Sequence, residues 1–223
     1  MIRPTAVIPV AGYGTRMYPV TRGIKKEFLP LVDVDGYPRP AVHLLVREAV
    51  DSGIDKICIV IAPHQRTLFE DYFHGNFDRD PGAERYPEIA REIQTLGSLV
   101  TFVEQRDQWG YGHAIWCAKK SVVDNPFLVL LGDHAFASAT DLRCTRQLLD
   151  LSEGLPGSIS AVNRASEEDL PYFGTIRGRP VPARPRVYEA EEIVEKPSAE
   201  YAEAHLQTVG TPEKPYLCWF GLH

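Results

Sequence analysis

The chain has 223 residues, 44% of them hydrophobic and 24% charged, a balance that suits a folded globular protein and argues against disorder along the whole length. The net charge of −6 argues against a nucleic-acid-binding face, which needs a basic patch, although a small cationic pocket for phosphate is compatible with it. Cys58, Cys117, Cys144 and Cys218 form no C-x-x-C pair, so neither zinc nor a disulfide framework is expected and a reducing, cytoplasmic setting fits.

The apolar part of MIRPTAVIPVAG is too short for a signal peptide. No run reaches the roughly 18 residues needed to cross a bilayer, so no membrane partner is expected. Residues 5–11 (TAVIPVA) form a continuous apolar run, which suits a strand buried on both faces of a parallel sheet. Residues 41–53 carry apolar residues at helical spacing and end in Gly53, a C-terminal cap. A second buried strand is expected over 57–62 (ICIVIA) and a helix over 65–73. The polar stretch 75–86, with its Pro-Gly pair, reads as a loop. A short helix over 87–95, a strand over 99–104, a helix over 112–120 and a strand over 127–131 follow. Beyond residue 155 the spacing changes to strands at 157–162, 173–177, 186–195 and 216–222. The proline-rich piece 179–186 (RPVPARPR) cannot be a central strand and reads as an exposed hairpin loop.

Strands alternating with helices predict an α/β fold with a doubly wound, mostly parallel, Rossmann-like sheet. A β-rich C-terminal part follows it. A single domain over 1–223 is expected, with halves at 1–136 and 137–223.

Gly12 and Gly14 follow the first strand, where glycine lets the backbone turn and approach a ligand with its N–H groups aimed at phosphate oxygens. A dinucleotide fingerprint would need a third glycine where Met17 stands, and Pro19 denies it a helix. A P-loop would need Gly-Lys-Ser/Thr. A Rossmann-type dehydrogenase is therefore disfavoured. Arg16 and Lys26 supply the cations a triphosphate needs. A single lysine alone reads better as a solvated loop residue paired with an acid, and only the combined string favours the phosphate reading.

Taken together, G-Y-G-T-R-M-Y-P and K-E-F-L-P within residues 12–30 resemble the signature of bacterial sugar-1-phosphate nucleotidylyltransferases, and most of all of UTP–glucose-1-phosphate uridylyltransferases. VEQRDQWGYGHAI (103–115), FLVLLGDHAF (127–136), FGTI (173–176) and EIVEKP (192–197) match further motifs of that family in order and spacing. The resemblance implies the nucleotide-diphospho-sugar transferase type of fold, with a nucleotide-binding half over 1–136 and a sugar-phosphate-binding half over 137–223. It implies transfer of a nucleotidyl group from UTP to glucose 1-phosphate with Mg2+ as cofactor.

By the same resemblance Ala11, Gly12, Gly14 and Thr15 lie along the nucleotide. Arg16 stabilises charge on the leaving pyrophosphate and Lys26 contacts the phosphates. Gln105 reads the uracil edge while Gly110 lets the base lie close, although Gln105 alone reads as a polar strand-end residue. Asp133 is the metal ligand, at the carboxyl end of a buried strand where open α/β sheets bind ligands. His134 beside it reads as a loop residue, and His113 as a helix-opening residue that caps or packs. Gly174 admits the sugar, Glu195 holds its hydroxyls and Lys196 its phosphate. The last two read otherwise as an exposed ion pair at a strand end.

Three departures from the family pattern stand out. Lys25 replaces the usual proline, and Tyr216 stands where relatives have an Asn that touches the sugar. The family also continues past the strand at 216–222 with helices and a second metal-binding Asp, so reduced metal affinity is expected. Relatives usually assemble, which leaves a homo-oligomer open. Another nucleotide such as dTTP, another sugar 1-phosphate, or a catalytically weak nucleotide- or sugar-phosphate-binding protein are the alternative readings.

Overall fold

A computed structural model of the chain describes residues 4–123, 125–208 and 215–223. The expected domain over 1–223 therefore includes residues 1–3, 124 and 209–214 that lie outside the described ones. The chain divides into two compact units, Met1–Pro156 and Gly157–His223.

The first unit runs β1 (Thr5–Pro9), β2 (Pro30–Val32), β3 (Pro38–Pro40), α1 (Ala41–Asp51), β4 (Ile57–Ile61), α2 (Arg66–His74), α3 (Pro81–Arg85), α4 (Pro87–Gly97), β5 (Val100–Glu104), α5 (Tyr111–Cys117), β6 (Phe127–Val129) and α6 (Cys144–Ser152). Its main sheet has the order β5-β4-β1-β6 and every pairing is parallel. The continuous apolar runs of β1 and β4 are explained by burial on both faces. On one face Val7, Cys58, Val60 and Val129 pack with Ala114 and Ala118, which α5 and the 3-10 turn after it supply. On the other, Phe102 meets Phe69 and Phe73 of α2, with ring centroids 6.1 and 6.4 Å apart. Burying side chains of that size stabilises by about 1.5–3 kcal/mol each.

The helix over 41–53 ends as its sequence predicts. Gly53 takes φ +90°, and the N–H groups of Gly53 and Ile54 donate to the carbonyls of Val50 and Ala49. This double bond pattern closes a helix through a left-handed glycine.

Two local expectations in this unit need correction, and further local elements were not expected. The stretch 75–86 is not all loop: Pro81–Arg85 is a short helix, with Asp80 capping the N–H groups of Gly82 and Ala83. Asp before Pro is a helix-start signal, and the Pro-Gly pair masks it. The strand expected over 127–131 stops at Val129, although the Leu130 N–H still donates to the Val7 carbonyl. The glycine loop opens no α-helix, in line with Pro19, but 3-10 turns form at Thr15–Met17, Val20–Arg22 and Lys26–Phe28. The antiparallel pair of β2 and β3 and the helix α6 were not expected.

The second unit holds β7 (Val162–Ala165), β8 (Gly174–Pro180), β9 (Tyr188–Glu195), α7 (Ala199–His205) and β10 (Tyr216–Trp219). Its antiparallel sheet has the order β7-β10-β8-β9. Ala202 and Leu206 pack with Ala165, Leu170, Tyr216 and Cys218. The strand expected at 157–162 begins only at Val162, because β7 pairs where Val162–Ala165 meets Tyr216–Trp219. The proline-rich piece 179–186 is not all loop: β8 runs through Arg179 and Pro180, which pair with Glu189 and Tyr188 of β9. These two lie beyond the Thr175–Ile176 stretch that pairs with β10, so Pro180 stands where a strand tolerates proline. The rest forms the turn, with Ala183 and Arg186 at positive φ.

Candidate active site

In the first unit the chain visits β1, β4 and β5 in one direction and then returns past β1 to β6. Residues 10–15 and 130–136 thus leave neighbouring strands on either side of the reversal, where ligands of open α/β sheets bind. Gly132 brings the two connections together. A Cβ there would stand 2.4 Å from Val10 Cγ1 and 2.8 Å from the Pro9 carbonyl oxygen.

The glycine loop is built around a left-handed residue. Gly14 takes φ +67°, and a Cβ on it would lie 2.9 Å from Thr21 Cγ2 and 3.4 Å from Lys26 Cδ. The Thr21 hydroxyl donates to the Gly14 carbonyl at 3.1 Å. Gly12 differs, since a Cβ there would meet no atom within 4 Å. Ala11 is buried while Thr15 and Arg16 are exposed. Among the described residues the Arg16 side chain forms no ion pair or hydrogen bond.

Lys26 Nζ donates to Asp133 Oδ2 at 2.9 Å across 107 residues of sequence. His134 Nδ1 lies 3.3 Å from Asp133 Oδ1. His134 and then Lys26 stabilise the carboxylate against its partial burial, so Asp133 sits well below the usual carboxylate range and is ionised at neutral pH. Glu27 is fully buried. Its two oxygens lie 3.6 Å from the ammonium groups of Lys25 and Lys26, and desolvation raises its pKa against both cations. Lys25 Nζ donates in turn to the Gly12 carbonyl at 2.5 Å.

Gln105 is buried at the end of β5, with its N–H on the Ile61 carbonyl. Its amide donates to the Gly110 carbonyl at 3.0 Å. Gly110 takes φ +92°, with no atom within 4 Å of the Cβ it lacks. His113 Nδ1 lies 2.8 Å from the Asp107 carbonyl. A carbonyl only accepts, so Nδ1 carries the proton. The Gln105 and His113 side chains thus tie the loop between β5 and α5 through its main-chain carbonyls.

Within the second unit Gly174 pairs with Glu195 across β8 and β9. A Cβ on Gly174 would stand 3.0 Å from Glu195 Oε2 and 3.3 Å from the Trp219 ring. Lys196 takes φ +50°, costly for a residue with a Cβ, and its Nζ lies 3.6 Å from Glu195 Oε1. The exposed strand-end ion pair is present, on a backbone strained in a way an ordinary surface pair does not need. Tyr216 is a core residue of this unit.

The first unit thus brings Gly12, Gly14, Lys26 and Asp133 together, and separately Gln105 with Gly110. The second brings Gly174, Glu195 and Lys196 together. Sequence reasoning missed Glu27, Gly132 and the Lys25–Gly12 bond. An acid directly after two lysines, and a glycine before the strand-end Asp, were the signals available. Among the described residues no group of three or more His, Cys, Asp or Glu could hold a metal ion. No helix among them is long and apolar enough to cross a membrane.

The nucleotidyl transferase family model matches residues 5–211. A UTP–glucose-1-phosphate uridylyltransferase of Bacillus subtilis (strain 168) is 35% identical over 220 residues, covering 93% of this chain and 70% of the relative. A UDP-glucose pyrophosphorylase solved in complex with UDP-glucose aligns with a TM-score of 0.77 at 30% identity, over 100% of this chain and 75% of the other. A UTP-bound enzyme of the same kind from Acinetobacter baumannii aligns with a TM-score of 0.77 at 28% identity, over 100% of this chain and 73% of the other. The chain belongs to the nucleotidyl transferase family.

Proposed function

We propose that the chain transfers a uridylyl group from UTP to glucose 1-phosphate, giving UDP-glucose and pyrophosphate. The pairing of Lys26 with Asp133 beside Gly12 and Gly14 carries this reading. It sets a cation and an ionised carboxylate at the sheet's ligand-binding end, on the motifs of a family whose relatives bear that name.

A phosphate oxygen of glucose 1-phosphate attacks the α-phosphorus. The new P–O bond forms as the bond to the bridging oxygen breaks, and pyrophosphate leaves with the electron pair. The attacking phosphate is ionised at neutral pH, so no general base is needed, and catalysis rests on positioning and charge neutralisation. Ala11, Gly12, Gly14 and Thr15 border the nucleotide. Lys26 neutralises charge near the α-phosphate and Arg16 on the departing pyrophosphate. Gln105 has its amide N–H on Gly110 and offers its carbonyl oxygen to the uracil. Gly174, Glu195 and Lys196 take the sugar and its phosphate.

Asp133 fits Mg2+, which favours one or two carboxylates completed by phosphate oxygens and water, and its ionised state suits that role. Bound there, Mg2+ would neutralise phosphate charge. A second reading keeps the chemistry and changes the sugar. Tyr216 stands where relatives have the sugar-touching Asn, and it is packed into the core. Pyrophosphate release across a panel of nucleotides and sugar 1-phosphates with Mg2+ tests both. Release with UTP and glucose 1-phosphate alone supports the first. Release with a different sugar 1-phosphate supports the second, and silence with every pair removes both.

A further inference from the structure

We propose that Lys25, where the family has proline, is a positioning residue for the triphosphate: its ammonium holds the Gly12 peptide so that the glycine loop presents an N–H donor to phosphate. This inference rests on the reading of residues 12–14 as a phosphate loop.

The geometry begins with Lys25 Nζ, which donates to the Gly12 carbonyl at 2.5 Å across 13 residues. A trans peptide is planar, with its C=O and N–H on opposite sides. Fixing the Gly12 carbonyl toward Lys25 therefore turns the Tyr13 N–H the other way. The position is uncrowded, since a Cβ on Gly12 would meet no atom within 4 Å. Donors on a flexible glycine loop lose entropy when a ligand orders them. A cation that orders the loop beforehand removes part of that cost.

Lys25 is itself held. Its side chain is mostly covered and its ammonium lies 3.6 Å from Glu27 Oε2, while Glu27 Oε1 lies 3.6 Å from Lys26 Nζ. Burial lowers the Lys25 pKa and Glu27 opposes that shift. One buried carboxylate therefore sets two ammonium groups, one on the glycine loop and the other on Asp133.

The backbone at this position does not demand lysine. Lys25 takes φ −64° and ψ 132°, values proline accepts. Replacing it by proline thus removes the ammonium without forcing the chain.

The test compares the whole chain with Lys25→Met, Lys25→Pro and Lys25→Arg. Calorimetry measures inorganic tripolyphosphate and UTP binding, steady-state kinetics follows UTP, and thermal unfolding is recorded for each. The expected result is about 10-fold weaker binding of both ligands to the Met and Pro variants, as for loss of one charge-assisted contact. KM for UTP rises by a similar factor while kcat stays within about 3-fold. Arg restores at least half of the loss in binding free energy, and melting temperatures stay within a few degrees. Binding within 2-fold of the parent in both the Met and Pro variants overturns the proposal. So does loss of cooperative unfolding in both, which would make Lys25 a structural pin. A parent that binds tripolyphosphate but turns over no UTP with any sugar phosphate sinks the proposed activity and leaves the role of Lys25 standing. A parent that binds neither ligand ends both.

Discussion

Lys26 and Asp133, 107 positions apart in sequence, meet at 2.9 Å because the loop after β1 and the loop after β6 leave neighbouring strands. Replacing Lys26 by Met keeps an unbranched side chain one atom shorter and removes its charge. Steady-state assay with UTP and glucose 1-phosphate is expected to show kcat lowered by about 10²–10³-fold, the usual loss when a donor aimed at developing charge is removed. A loss confined to KM would mean that Lys26 binds ground state and transition state alike.

Gly132 makes that meeting feasible, since a side chain there would collide with Val10 Cγ1 and the Pro9 carbonyl. Gly132→Ala is expected to destabilise the fold by about 1–3 kcal/mol, the range for overpacking a tight site. Chemical denaturation read by circular dichroism checks it. An unchanged midpoint would show that the two loops separate freely.

The main sheet was legible because buried parallel strands leave continuous apolar runs such as ICIVIA. Gly53 closed α1 where its position said it would. The glycine loop and Asp133 were legible as types of residue at strand ends, and their roles only through family motifs. Other features were not readable, for physical reasons. Asp80 caps α3 beside a Pro-Gly pair that also reads as a turn, so the local signals compete. The short strands β2 and β3 have little apolar patterning. Val162–Ala165 is a strand by virtue of its partner β10, which lies over 50 residues away. Glu27 looks like a surface acid, and only the fold shows it buried between two lysines.

Lys196 couples a strained backbone to a proposed role. Its φ of +50° costs a residue with a Cβ about 1–2 kcal/mol, which glycine avoids. Lys196→Gly is therefore expected to hold or raise stability, by up to about 1 kcal/mol, while raising KM for glucose 1-phosphate. Thermal melts and sugar-phosphate titrations check the opposite signs. Lower stability with unchanged KM would leave Lys196 as a structural residue only.

His43 on α1 is fully buried, 3.0 Å from the Tyr72 hydroxyl and 3.2 Å from Glu92. Burial lowers its pKa below 6.5, with Glu92 opposing and Arg39 and Arg47 adding to the drop. The unfolded chain thus binds a proton more readily than the folded one in the window below pH 6.5. Stability from this group is present above that pH and is lost on acidification. Melting temperature is expected to fall between pH 7 and pH 5.5, and His43→Gln to flatten that slope. Parallel slopes for both proteins would remove His43 as the cause.

Around Glu27 the charges balance. Two ammonium groups, Lys25 and Lys26, stand against two carboxylates, Glu27 and Asp133, and moving a proton among them leaves the sum unchanged. This cluster therefore carries almost no net charge of its own, and the exposed Arg16 on the glycine loop lies outside the balance. A triphosphate gains Lys26 only when that ammonium lets go of Asp133, and Asp133 is released in the same event for a cation of its own. Affinity for anion and cation at this place is thereby linked, each strengthening the other by the same factor.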